Sequence, residues 1–119
     1  MNILVCDDDR EIVGAIEIYL KNEGYEVFKA YDGIEALDIL RKEEIHLILM
    51  DIMMPEMNGI DVLKKIKDEM QETKVLLCTG AGSGSMVDLA MRLGADGYIV
   101  KPYDADRIHM GIQRALGLK

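Results

Sequence analysis

The sequence predicts an α/β fold, a doubly wound parallel sheet of five strands with a helix after each. Three observations predict it. Short apolar runs recur five times along the chain. Each is followed by a stretch with helical spacing of apolar residues, closed by glycine or a polar segment. Four of the runs end on a residue with chemistry to offer, Asp7, Asp51, Thr79 or Lys101. Strands and helices in strict alternation give parallel pairing, because a parallel neighbour is reached only through a crossover. Residues 1–119 read as one domain, long enough to bury a real core, with no linker or low-complexity segment.

The elements follow in order. Ile3 to Cys6 is a buried strand ending in Asp7, Asp8 and Asp9. From Asp9 to Glu23, Ile12, Ile16, Tyr19 and Leu20 form the stripe of a first helix, which Gly24 stops. Tyr25 to Ala30 alternates in part and reads as the second strand. Asp32, with Glu35 three residues on, resembles a capping box opening a helix that turns Ala36, Leu37 and Leu40 inward. Leu47 to Met50 is the central strand, apolar on both faces, and it ends abruptly in Asp51. Asn58 caps the third helix, carrying Ile60, Leu63, Ile66 and Met70.

Val75 to Cys78 is the fourth strand, ending at Thr79. The glycine-rich loop Gly80 to Gly84 follows, and Ser85 with Asp88 is expected to cap a fourth helix terminated by Gly94. Tyr98 to Val100 is the fifth strand, ending at Lys101-Pro102. Asp104 caps the last helix, with Ile108, Ile112 and Leu116 inward and Gly117 beyond its end.

Composition narrows the function. Half the residues are hydrophobic and 30% are charged, as in ordinary globular domains. A formal net charge of −8 argues against direct contact with nucleic acid or an anionic membrane. The opening residues have no basic region and no stretch reaches the roughly 18 apolar residues of a membrane span, so a cytoplasmic protein is expected. His46 and His109 lack Cys or His at metal spacing and read as structural or exposed. Met50, Met53, Met54 and Met57 read as core and loop packing.

All strands of a parallel sheet point the same way, so Asp7, Asp8, Asp51, Thr79 and Lys101 share its carboxyl edge. Three close carboxylates repel one another unless a cation intervenes or one takes a proton. A hard divalent ion with oxygen ligands, Mg²⁺ above all, suits them. A lysine and a threonine beside it suit the oxygens of a phosphoryl group.

With these residues in place, the chain resembles the receiver domains of two-component response regulators over essentially its whole length. The matching pieces are Ile3-Leu4-Val5-Cys6-Asp7-Asp8, Asp51 with Met54-Pro55 and Gly59, Thr79, Gly94-Ala95-Asp96 and Lys101-Pro102. The resemblance implies a flavodoxin-like (βα)5 sheet of order 2-1-3-4-5. It implies that Asp51 accepts a phosphoryl group from a sensor histidine kinase or phosphotransfer protein. It further implies that Asp8, Asp51 and the backbone carbonyl of Met53 bind Mg²⁺, with Asp7 acting through water. Lys101 and Thr79 would hold the phosphoryl oxygens, Tyr98 would be an aromatic switch following Thr79 inward, and the Lys101-Pro102 peptide would be cis. Such a chain is a switch that modifies itself, not a turnover enzyme. Its output is expected on the fourth helix, fifth strand and fifth helix, toward a downstream protein.

The sequence departs from the family pattern in places. Gly80 stands where alanine is usual. The salt-bridging residues with which winged-helix regulators dimerise are replaced by Gly97, Arg107 and Gly111. A monomer or weak phosphorylation-dependent dimer is therefore expected. The chain reads as a stand-alone regulator or as the receiver of a longer DNA-binding transcription regulator. A nucleotide-binding reading of Gly80 to Ser85 fails the G-x-G-x-x-G spacing. An aspartyl-phosphate phosphohydrolase would want a second acid where Met53 stands. Cys6 and Cys78, on strands separated by a third, are expected to stay unlinked.

Overall fold

The computed structural model describes residues 1–54, 57–70, 72–80, 84–101 and 104–117. The expected Lys101-Pro102 cis peptide, Pro55 and the middle of the glycine-rich loop lie outside the described residues. In chain order the elements are β1 (Asn2–Cys6), α1 (Arg10–Asn22), β2 (Glu26–Ala30), α2 (Gly33–Lys42) and β3 (Leu47–Asp51). They continue with α3 (Gly59–Glu69), β4 (Lys74–Thr79), α4 (Gly84–Arg92), β5 (Gly97–Val100) and α5 (Ala105–Leu116).

All four strand pairings are parallel, and the sheet runs β2-β1-β3-β4-β5. Every residue of β3 is buried, as its unbroken apolar run requires. Alternate side chains divide between two cores. Leu4, Ile48, Met50, Val75 and Leu77 pack under α2, α3 and α4. Ile3, Val5, Leu47, Leu49, Leu76 and Ile99 pack under α1 and α5. Each such Leu or Ile contributes about 1.5–3 kcal/mol by leaving water, so the register is strongly held.

The sequence cues for helix ends operate as expected. Asp9, Asp32, Asn58 and Asp104 accept backbone N–H groups from the first turns of α1, α2, α3 and α5. The Asp32–Glu35 box is shifted by one position, since the Glu35 carboxylate accepts the N–H of Tyr31 at 2.8 Å. Gly24, Gly94 and Gly117 take φ of 90°, 106° and 71°, the left-handed turn that closes a helix without a Cβ clash.

Two expectations are corrected. The buried stripe of α1 is Val13, Ile16 and Leu20, with Ile12 and Tyr19 only partly covered. Val13 is the residue that faces the sheet because it lies three before Ile16 and seven before Leu20 on one helical face. Helix α4 already begins at Gly84, so Ser85 sits within its first turn and cannot be the residue that caps it. Cys6 and Cys78 lie in opposite cores, with β3 between their strands, and form no disulfide.

Candidate functional site

The pairings level the strand ends. Cys6 is opposite Met50, Asp51 is opposite Cys78, and Thr79 is opposite Val100. The residues that follow or close β1, β3, β4 and β5 therefore meet on one edge. Asp7 and Asp51 are buried there, at 3% and 8% exposure, while Asp8 is exposed. One carboxylate oxygen from each of Asp7, Asp8 and Asp51 lies within 4.8 Å of the others. The Lys101 ammonium bridges two of them, at 3.2 Å from Asp7 Oδ2 and 3.2 Å from Asp51 Oδ2.

The carboxylates are aimed by the backbone. The Asp9 N–H donates to Asp7 Oδ1 at 3.0 Å, and the Met53 N–H donates to Asp51 Oδ1 at 3.1 Å. The chain beyond Asp51 is pinned by Gly59, whose N–H donates to the Ile52 carbonyl at 2.8 Å. A Cβ at Gly59 would meet the Asp51 carbonyl oxygen and Ile52 Cα, each at 2.8 Å, so only glycine lets α3 start this close to the strand end. The match quoted at Gly59 thus has a steric cause that sequence spacing does not reveal.

Burial pushes the Asp7 carboxyl above the ordinary carboxylate range. The Asp9 N–H pulls it back, the Asp51 charge raises it further, and Lys101 opposes. For Lys101, burial acts downward, but Asp51 and Asp7 outweigh it and hold the ammonium above an ordinary lysine. Two buried carboxylates thus share the Lys101 ammonium. A further hard cation fits three oxygen donors so gathered.

Two further expected residues, Thr79 and Tyr98, lie on β4 and β5. Thr79 is buried, and its hydroxyl donates to the Gly80 carbonyl at 3.2 Å. The Tyr98 ring is 51% exposed on β5, and the Met53 side chain is exposed beside Asp51. A contact that the sequence reading missed lies on the same edge. The Arg10 guanidinium stands over the Tyr31 ring at 3.9 Å from its centroid. No spacing rule joins positions so far apart in the chain.

A family model for the response regulator receiver domain matches residues 3–113. The chain belongs to this family. Receiver domains are phosphoryl-accepting signalling switches of two-component systems, and they bind Mg²⁺ at an acidic pocket. The transcriptional regulatory protein CpxR of Escherichia coli is 43% identical over 102 residues, which are 86% of this chain and 43% of CpxR. The chain thus spans less than half the length of that relative. Sporulation initiation phosphotransferase F of Bacillus subtilis is 36% identical over 98% of this chain and 94% of its own length. Among solved structures, a receiver domain protein from Clostridium thermocellum superposes with a TM-score of 0.92 at 33% identity, covering 98% of this chain and 94% of that one. No helix among the described residues is long and apolar enough to cross a membrane.

Proposed function

We propose that this receiver takes a phosphoryl group on Asp51 from a phosphohistidine of a sensor kinase or phosphotransfer protein. The observation that carries the reading is the Lys101 bridge between Asp7 and Asp51, which puts one ammonium on two carboxylates from different strand ends. An Asp51 oxygen attacks phosphorus, the P–N bond breaks, and the imidazole leaves and takes up a proton. Asp7, Asp8, Asp51 and the Met53 carbonyl would hold Mg²⁺. Bound there, the ion supplies charge neutralisation that lets two anions approach. Lys101 follows the developing negative charge from the carboxylates onto the phosphoryl oxygens.

The switch then uses groups that are spent elsewhere at rest. Thr79 leaves the Gly80 carbonyl to donate to a phosphoryl oxygen, and the exposed Tyr98 ring turns into the space beneath. Such an equilibrium moves only through differential contacts, and these two residues supply them for α4, β5 and α5. On that face Tyr98, Val100 and Met110 are already exposed at rest, which favours a protein partner over nucleic acid as the receiver's own contact. The CpxR likeness supports a second setting, the same receiver within a longer transcription regulator. Incubation with a labelled phosphodonor tests the core reading. One phosphoryl group per chain is expected with Mg²⁺, and none in EDTA or in Asp51→Asn. Full labelling of Asp51→Asn would overturn it.

A further inference from the structure

Four strand ends supply residues to the site, and the fifth, that of β2, supplies none by sequence. The structure fills that position. Asp7 donates its N–H to the Ala30 carbonyl at the end of β2, and Tyr31 comes next in the chain. Tyr31 therefore leaves β2 beside the backbone of Asp7. It holds Arg10, the first residue of α1, at 3.9 Å from its ring centroid.

Three aspartates, Asp7, Asp8 and Asp9, immediately precede Arg10. Even so, none of the ion pairs among the described residues involves its guanidinium. Stacking uses a face of the guanidinium and leaves its in-plane N–H donors for solvent or an incoming anion. Arg10 is exposed. Strand β2 is two places from β3, so at about 4.8 Å per strand Tyr31 lies about 10 Å from the Asp51 strand. That is too far for Tyr31 to mark a contact with a phosphoryl group on Asp51. It is within about one Debye length at 0.1 M salt.

We propose that Arg10, parked on Tyr31, is a binding residue for the anionic phosphodonor. Its positive charge draws a small, doubly anionic acyl phosphate toward the strand-end site. This rests on Asp51 being the acceptor, and it adds a determinant of which donors are used. Tyr31 acts through Arg10 and is a positioning residue.

The test compares acetyl phosphate with phosphoramidate, which carries less negative charge at neutral pH, at saturating Mg²⁺. Arg10→Ala should lower the second-order rate with acetyl phosphate by roughly two- to fivefold, the size of an exposed charge interaction. It should change the phosphoramidate rate little and flatten the salt dependence of the acetyl phosphate rate. Arg10→Lys should recover part of the loss. Tyr31→Phe should behave as wild type, and Tyr31→Leu should shift the donor ratio in the direction of Arg10→Ala. Equal losses with both donors, or an unchanged ratio, would overturn the proposal while leaving Asp51 as acceptor. Failure of the wild type to label at all would instead overturn the reading on which it rests.

Discussion

The two edges of the sheet handle polar and charged groups in opposite ways. At the amino edge, Asp96 is satisfied. Its Oδ2 accepts the Val75 N–H at 2.8 Å and the Lys67 ammonium at 3.3 Å, with Lys74 at 3.9 Å from Oδ1. Thr73 likewise donates its hydroxyl to the Ile45 carbonyl at 2.9 Å, and His46 Nδ1 accepts the Asn2 N–H at 3.0 Å. At the carboxyl edge, Asp7 and Asp51 share one lysine, and Asp8 crowds the same space. The amino edge spends its polar groups on joining the starts of neighbouring strands. The carboxyl edge keeps charge in excess of its partners, at a cost in stability that a cation relieves. A fold that put both arrangements to structural use would have nothing left to respond to a ligand.

The contrast predicts measurable differences in stability. The largest belongs to the metal. With free Mg²⁺ at about 100 times its Kd, the protein should gain about 2.7 kcal/mol, seen as a rise in Tm that EDTA reverses. In Asp7→Asn or Asp51→Asn that gain should shrink. An equal gain in both variants would place the ion elsewhere.

Removing the satisfied acid should cost somewhat less. Asp96→Ala leaves the Val75 N–H and Lys67 without their partner and should destabilise by about 2 kcal/mol. The Mg²⁺ titration of this variant should be unchanged, because the two edges do not share charges. A matching loss of Mg²⁺ affinity would show that the edges are coupled.

The smallest effect has the opposite sign. Burial holds the Asp7 carboxyl above its ordinary range, so between the unfolded and folded values the native state binds more protons than the unfolded chain. Stability of the metal-free protein should therefore fall as pH rises through that window. Asp7→Asn should flatten this arm and leave the metal-free protein more stable at neutral pH, seen as a higher Tm. A lower Tm in the metal-free variant would mean that Lys101 more than compensates the buried charge.

Much of this was legible in the sequence because the decisive signals were local. An apolar run that ends in acid, Asp-x-x-Glu before a helix, and glycine after one each act within a few residues, and the strand alternation did the rest. What escaped is long-range. Ile12 and Tyr19 fit a helical stripe as well as Val13 does, and only the sheet decides which stripe is covered. The role of Gly59 depends on where Ile52 passes in space. The Arg10 stack on Tyr31 joins the ends of two elements that touch only because β1 and β2 pair. The hydroxyl bond of Thr79 to the Gly80 carbonyl and the exposure of Tyr98 depend on packing in space, and a motif names the residue without its position.

On the proposed function, the crowded carboxyl edge exists to place a phosphoryl group on Asp51. After phosphodonor treatment with Mg²⁺, reductive trapping of the acyl phosphate with borohydride and peptide mass mapping should mark Asp51 and no other carboxylate. A mark on Asp7 or Asp8, with Asp51 unmodified, would contradict it.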